Sequence, residues 1–172
     1  HDVLLVHAAG NDGANIDREC NYPNRYFVDS LGFNQGEADA WITVGATSWD
    51  KSDVIASFSN YGHKSVDVFA PGVDIYSSVP SSEYKEQSGT SMAAPVVAGL
   101  AALIWSYYPD FSAVEIKNII MESVVVIDDK VKVSDGGTSK KVLLSEISQT
   151  GGIVNAYNAL KLAESKYQGS KK

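Results

Sequence analysis

From residue 88 to residue 108 the chain reads SGTSMAAPVVAGLAALIWSYY, and no charge interrupts it until Asp110. A small, breaker-rich opening followed by an apolar run predicts a loop feeding a helix over residues 91–108, with Pro95 tolerated in its first turn. Small residues at Ala93, Ala94, Ala98, Gly99, Ala101 and Ala102 make that helix thin. A helix that is small or apolar on every side belongs in a core, so Ala98 and Ala102 are expected to be buried. Near the start, Val3-Leu4-Leu5-Val6 has the continuous hydrophobicity of a strand covered on both faces, predicted over residues 3–8. Two further short apolar runs predict strands over 42–46 and 66–69. Residues 75–79 are β-like and precede a polar linker over 80–86. Beyond Pro109, Ser112-Ala113-Val114-Glu115 opens a helix over 113–124 as a capping box. Val131/Val133 and Val142/Leu144 alternate around Asp135-Gly136-Gly137, where a β-hairpin and an irregular surface excursion both stay open. A last helix covers 156–166, and residues 168–172 should fray. Strands alternating with helices predict an α/β fold with a mostly parallel sheet.

Composition narrows the class. The 172 residues are 44% hydrophobic and 20% charged, enough apolar content for one domain-sized core, with no internal repeat. A net charge of −7 with no basic stripe argues against nucleic acid as a partner. No apolar run approaches the roughly 20 residues that span a membrane, so no membrane partner is expected; no signal peptide is visible either. Cys20 is the one cysteine, which rules out an intrachain disulfide. No histidine or cysteine pair has metal spacing, so no metal ligand is assigned. Asp67, flanked by valines, falls on the polar side of its strand by alternation, with hydrogen-bonded and cation-binding roles both open. His63 is expected in a solvent-facing turn, and His7 inside a buried strand.

The candidate chemistry sits at the start of the long helix. A serine attacks a carbonyl when it is held rigidly and a base takes its proton. Ser91 on the end of a buried helix has the rigidity, together with first-turn N–H groups and the positive end of the helix dipole. A plain N-cap role for Ser91 or Thr90 is the competing reading. The segment is not the G-x-S-x-G elbow, because Ala93 stands where the second glycine belongs. Gly10-Asn11-Asp12-Gly13 punctuates the end of the first strand, where open α/β sheets place ligands. On its own, Asn11 reads as a turn asparagine.

Gly89-Thr90-Ser91-Met92-Ala93-Ala94-Pro95, followed by Val97-Ala98-Gly99, closely resembles the nucleophile segment of the subtilisin-like serine peptidases. Ala8-Ala9-Gly10-Asn11-Asp12-Gly13 resembles that family's oxyanion-hole segment, and Phe69-Ala70-Pro71-Gly72 its strand and turn upstream of the nucleophile. Order and spacing agree, and the resemblance runs from about residue 3 to residue 159. It implies the three-layer subtilisin-like α/β fold, present only in part over residues 1–172. It implies Ser91 as nucleophile and Asn11 as side-chain donor to the oxyanion. Asn21 and Tyr22, with Ala8, Ala9 and Gly10, would form the pocket for the substrate side chain before the cut. Residues 26–39 look longer than in compact members, as an inserted loop or a solvated connection. Gly151-Gly152 resembles the glycine pair ahead of the family's last helix.

The resemblance also shows what is missing. The family's triad aspartate and histidine stand in Asp-Ser/Thr-Gly and His-Gly-Thr-His segments. Neither occurs here, and none of His1, His7 and His63 is followed by Gly-Thr. Val96 stands where many members have histidine, a departure outside the triad. The expectation is the C-terminal portion of a catalytic domain whose parent is a serine endopeptidase, inactive in isolation. The alternative is a pseudo-peptidase acting as a peptide-binding or scaffold domain. The implied partners are a peptide or protein substrate and the N-terminal part of the same domain, with self-association of the isolated chain through its exposed sheet edge. The implied setting is extracellular or the cell envelope. The resemblance allows structural calcium, though no ligand motif supports it, and implies no other cofactor.

Overall fold

The computed structural model describes residues 2–19, 21–50, 53–135 and 138–170; His1, Cys20 and the expected Gly136-Gly137 turn lie outside them. The strands are β1 (Leu5–Ala8), β2 (Tyr26–Val28), β3 (Asn34–Glu37), β4 (Trp41–Thr47), β5 (Val68–Pro71), β6 (Ile75–Val79), β7 (Glu83–Gln87), β8 (Val125–Val126), β9 (Val131–Asp135), β10 (Thr138–Val142) and β11 (Gly152–Ile153). The helices are α1 (Thr90–Tyr107), α2 (Ala113–Glu122) and α3 (Ala156–Ser170). Five strands form the central sheet in the order β1-β4-β5-β11-β8. β1, β4, β5 and β11 are parallel, and β8 pairs antiparallel with β11 at the far edge.

Alternation along β4 and β5 divides the core in two. Ile42, Val44, Ala46, Val68 and Ala70 pack with Ala93, Val97, Leu100, Ala101 and Ile104 of α1. Ile116, Ile119 and Ile120 of α2 and Ala159 and Ala163 of α3 complete that cluster. On the other face, Phe69 packs with Ile55, Tyr61, Val66, Leu144 and Ile147 and with Val131 and Val133 of β9. All three α-helices thus lie on one face, and the β9–β10 hairpin helps cover the other. This is part of a three-layer α/β fold with a mostly parallel sheet.

Several details differ from expectation. Ala98 and Ala102 are exposed, not buried, because α1 meets the sheet, α2 and α3 on one side only. α1 is long and apolar enough to cross a membrane, yet its buried residues are those of a core helix resting on a sheet. Pro95 is the sixth residue of α1, beyond the first turn. Having no N–H, it leaves the Ser91 carbonyl without its i+4 donor. β1 is an edge strand beginning at Leu5; Val3 and Leu5 are about half exposed because only β4 flanks it. The expected polar linker at 80–86 is partly strand: β7 pairs antiparallel with β6 to make an exposed hairpin. Residues 26–39 form a second hairpin, β2–β3, with a register irregularity between Phe27 and Val28. The helix expected over 156–166 continues to Ser170, so the fraying expected at 168–170 is not seen.

Candidate active site

The loop after β1 and the first turn of α1 are laced together through Asn11 and Thr90. Asn11 Oδ1 accepts from the Thr90 backbone N–H (2.9 Å) and from the Thr90 hydroxyl (2.9 Å). The Thr90 hydroxyl oxygen in turn accepts from the Gly10 N–H (3.1 Å). A backbone N–H can only donate, so the Asn11 oxygen must face it and the amide nitrogen must point the other way. N-capping therefore falls to neither hydroxyl. Gly89 is the N-cap, with no side-chain capping bond; the Asn11 oxygen does the work from outside the helix. Ser91 is exposed at the second position of α1.

Two nitrogens come close to Gly89. A Cβ built there would lie 3.4 Å from Asn11 Nδ2 and 3.7 Å from both the Ser91 backbone nitrogen and Met92 Sδ. Among the described residues no hydrogen bond occupies either donor. A second close approach seats the segment: the Gly89 N–H donates to the Gly72 carbonyl at 2.7 Å. A Cβ on Gly72 would come within 2.7 Å of the Ala46 Cβ and 3.2 Å of the Ala93 Cβ. The turn after β5 can dock on the start of α1 only as glycine.

Buried behind this surface is Asn60, which sequence reasoning passed over. An asparagine between Ser59 and Tyr61 is the only trace it leaves, and turns are full of asparagines. Its Oδ1 accepts from the Asp12 N–H (2.9 Å) and the Ala14 N–H (3.0 Å), and its Nδ2 donates to the Ala9 carbonyl (3.0 Å). Gly10 adopts φ of 101°, and a Cβ there would collide with Asn60 Nδ2 at 2.4 Å. The glycine is required on both counts.

The expected substrate pocket is joined only in part. Asn21 Nδ2 donates to the Ala9 carbonyl at 2.8 Å, tying that segment to the Asn11 loop. Ala9 is buried, Ala8 and Gly10 are half-buried, and the Tyr22 side chain stands out in solvent. A cavity of about 230 Å³ lies beside Asn21, lined also by His7, Arg25 and Thr43, but Ala8, Ala9, Gly10 and Tyr22 do not line it.

The described histidines are turned to other tasks. His7, paired in register with Thr43, shares that cavity and packs tilted against Trp41 at 5.2 Å between ring centroids. Its neighbour Val6 packs toward α1, so alternation carries His7 to the opposite face. Burial, then the charge of Arg25, lowers its pKa. His63 is exposed as expected, with Nδ1 at 2.8 Å from the Ser145 carbonyl. Among the described residues, no imidazole hydrogen bond reaches Ser91.

Asp67 lies just ahead of β5 and takes the hydrogen-bonded role left open for it. It is fully buried, and its Oδ2 meets Arg25 Nη2 and the Thr43 N–H, each at 2.6 Å. Burial pushes its pKa up, against the pull of Arg25 and the Thr43 N–H, and Oδ1 has no hydrogen-bond partner among the described residues. The cation facing Asp67 is the guanidinium of Arg25. The described residues contain no group of three or more His, Cys, Asp or Glu side chains suited to structural calcium.

Comparison with known proteins decides the ancestry of this arrangement. The Subtilase family model, Peptidase S8, matches residues 1–156. The chain belongs to the subtilase family. Subtilisin DY of Bacillus licheniformis is 39% identical over 128 residues, covering 74% of this subtilase chain and 41% of that protein. The thermophilic serine proteinase of Bacillus sp. strain AK1 is 38% identical over 157 residues, covering 91% of the chain and 30% of that protein. Among solved structures, the A-subunit of the AB5 toxin from E. coli superimposes with a TM-score of 0.70 at 26% identity, covering 94% of this chain and 51% of that one. This subtilase chain therefore spans about half or less of the length of these relatives.

Proposed function

We propose that this chain is the nucleophile-bearing part of a serine endopeptidase catalytic domain, with Ser91 as nucleophile and Asn11 as oxyanion donor. The observation that carries the reading is the approach of two nitrogens, Asn11 Nδ2 and Ser91 N, to the same point at Gly89, with no hydrogen bond to either among the described residues. In the reaction the Ser91 hydroxyl loses its proton to a base and its Oγ bonds to the substrate carbonyl carbon. Negative charge then collects on the carbonyl oxygen, where two preorganised donors stabilise it more than they stabilise the ground state. The C–N bond breaks as the leaving amine takes the proton, and water resolves the acyl-enzyme.

The base belongs to the rest of the catalytic domain, N-terminal in the parent protein. That same part covers the open face of α1, which carries Ser91 at one end. The substrate is a peptide or protein, held through Ala8, Ala9, Gly10, Asn21 and Tyr22, with the Tyr22 wall completed only in the whole domain. The setting is extracellular or the cell envelope, as the family resemblance implies. The isolated chain hydrolyses peptides negligibly, because a serine hydroxyl at neutral pH keeps its proton unless a base is aimed at it.

The test is a fluorogenic-peptide assay with fluorophosphonate labelling on this chain, on the full-length parent and on parent Ser91→Ala. The parent should turn over peptide and label at Ser91, and Ser91→Ala should lower kcat/KM by at least about 10⁴-fold. Labelling of the isolated chain at Ser91 would reveal a base within it. An inactive parent would overturn the reading in favour of a peptide-binding pseudo-peptidase.

A further inference from the structure

The hydrogen bonds of the Asn60 side chain are all directed at one loop, and that loop carries Asn11. Its two acceptor contacts reach forward to Asp12 N–H and Ala14 N–H. Its amide reaches back to the Ala9 carbonyl and sideways to Asp12 Oδ2 at 3.3 Å. The backbone adds to the grip: Asn60 N–H donates to the Gly10 carbonyl and Tyr61 N–H to the Ala14 carbonyl. Residues on both sides of Asn11 are thus fastened to one side chain that is only 2% exposed. Asn11 has a second restraint in Thr90, which fixes the orientation of its amide but not the height of its backbone.

We infer that Asn60 is a positioning residue for oxyanion stabilisation, holding the loop so that Asn11 Nδ2 stays opposite the Ser91 N–H. The inference rests on the reading of Ser91 and Asn11 given above. Asn60 touches no substrate and takes no proton. Its effect passes through Asn11, so it acts on an interaction made in the transition state and leaves ground-state binding nearly alone. Geometry at this scale matters, since a displacement of about 1 Å in a catalytic group can cost roughly 100-fold in rate.

The experiment is a double-mutant cycle in the full-length parent, with Asn60→Ala, Asn11→Ala and both together, assayed for kcat and KM on one peptide. Asn60→Ala should lower kcat by about 10- to 100-fold with KM within about twofold of the parent. In the Asn11→Ala background the same change should lower kcat by no more than about twofold, since the group it positions is gone. Asn60→Asp is the second arm, for use if Asn60→Ala does not fold. It keeps the shape and both acceptor contacts but turns the donations to the Ala9 carbonyl and Asp12 Oδ2 into oxygen–oxygen contacts, and it should show the same non-additivity. A kcat unchanged by either variant, a loss seen only in KM, or full additivity with Asn11→Ala would overturn the role of Asn60. A parent with no Ser91-dependent activity would instead overturn the underlying reading, so the two failures are told apart.

Discussion

The two faces of α1 are built from the same kinds of residue and meet different surroundings. Ala93, Val97, Leu100, Ala101 and Ile104 form one face and are buried against the parallel sheet, α2 and α3. Ser91, Pro95, Ala98, Gly99, Ala102 and Leu103 form the other and are exposed. Both stripes keep the 3–4 residue spacing of a single helix side. Composition alone cannot rank them, because smallness permits close packing without specifying a partner. What separates them is the facing surface: Ile42, Val44 and Ala46 stand across from one, and nothing among the described residues covers the other.

The sharpest way to test the difference is to cut into the buried face. Ile104 is fully buried in the cluster shared with β4 and α2. Ile104→Ala should destabilise the chain by roughly 2–5 kcal/mol, lost transfer energy plus an unfilled cavity. Chemical denaturation of both proteins would measure it, and a loss under about 1 kcal/mol would mean that this face is no better packed than the other. A smaller effect is expected one layer out, at the start of α2, the wall that encloses this face. Ser112 Oγ accepts from the Glu115 N–H, and Glu115 Oε2 accepts from the Ser112 N–H at 2.8 Å. That bond to the N–H, followed by the one to the Ser112 hydroxyl, lowers the Glu115 pKa. Asp2 adds a second cap by accepting from the Ala113 N–H. Ser112→Ala should therefore cost about 1 kcal/mol at most, with Asp2 still in place. A drop of several kcal/mol would show that α2 is far less independently anchored than its contacts imply.

The same contrast explains what the sequence made legible. Strands β1, β4 and β5 and the capping box at Ser112 follow from period and cap chemistry, local signals, while alternation left the β9–β10 hairpin as one of two readings and did not mark β8 or β11. Ser91 and Asn11 were legible through motif resemblance, because neither periodicity nor spacing distinguishes them from a cap and a turn. Three features depended on distant partners and left no local mark. Asp67 had a hydrogen-bonded role open to it, but its partner Arg25 lies 42 positions away and nothing local names it. Asn60 lies 48 positions from Asp12 and reads as an ordinary turn residue. The exposure of Ala98 and Ala102 depends on which surfaces are present around the helix, and no residue within the helix encodes that.

The smallest expected effect is the most discriminating for the open face. Ala102 is exposed at mid-helix, so Ala102→Glu adds a carboxylate that stays in water. Its cost should be the modest difference in helix propensity, within about 0.5 kcal/mol. In a parent where the N-terminal part of the domain lies over this face, the same change would bury a charge without a partner and lower stability far more. Equilibrium denaturation of the isolated chain and of the parent, each with and without the substitution, separates the two. Light scattering on the isolated chain adds the remaining arm, because self-association across this face would make Ala102→Glu shift the mass toward monomer. A substitution harmless in both proteins would mean that the face stays open in the parent and that the missing base approaches Ser91 from another side.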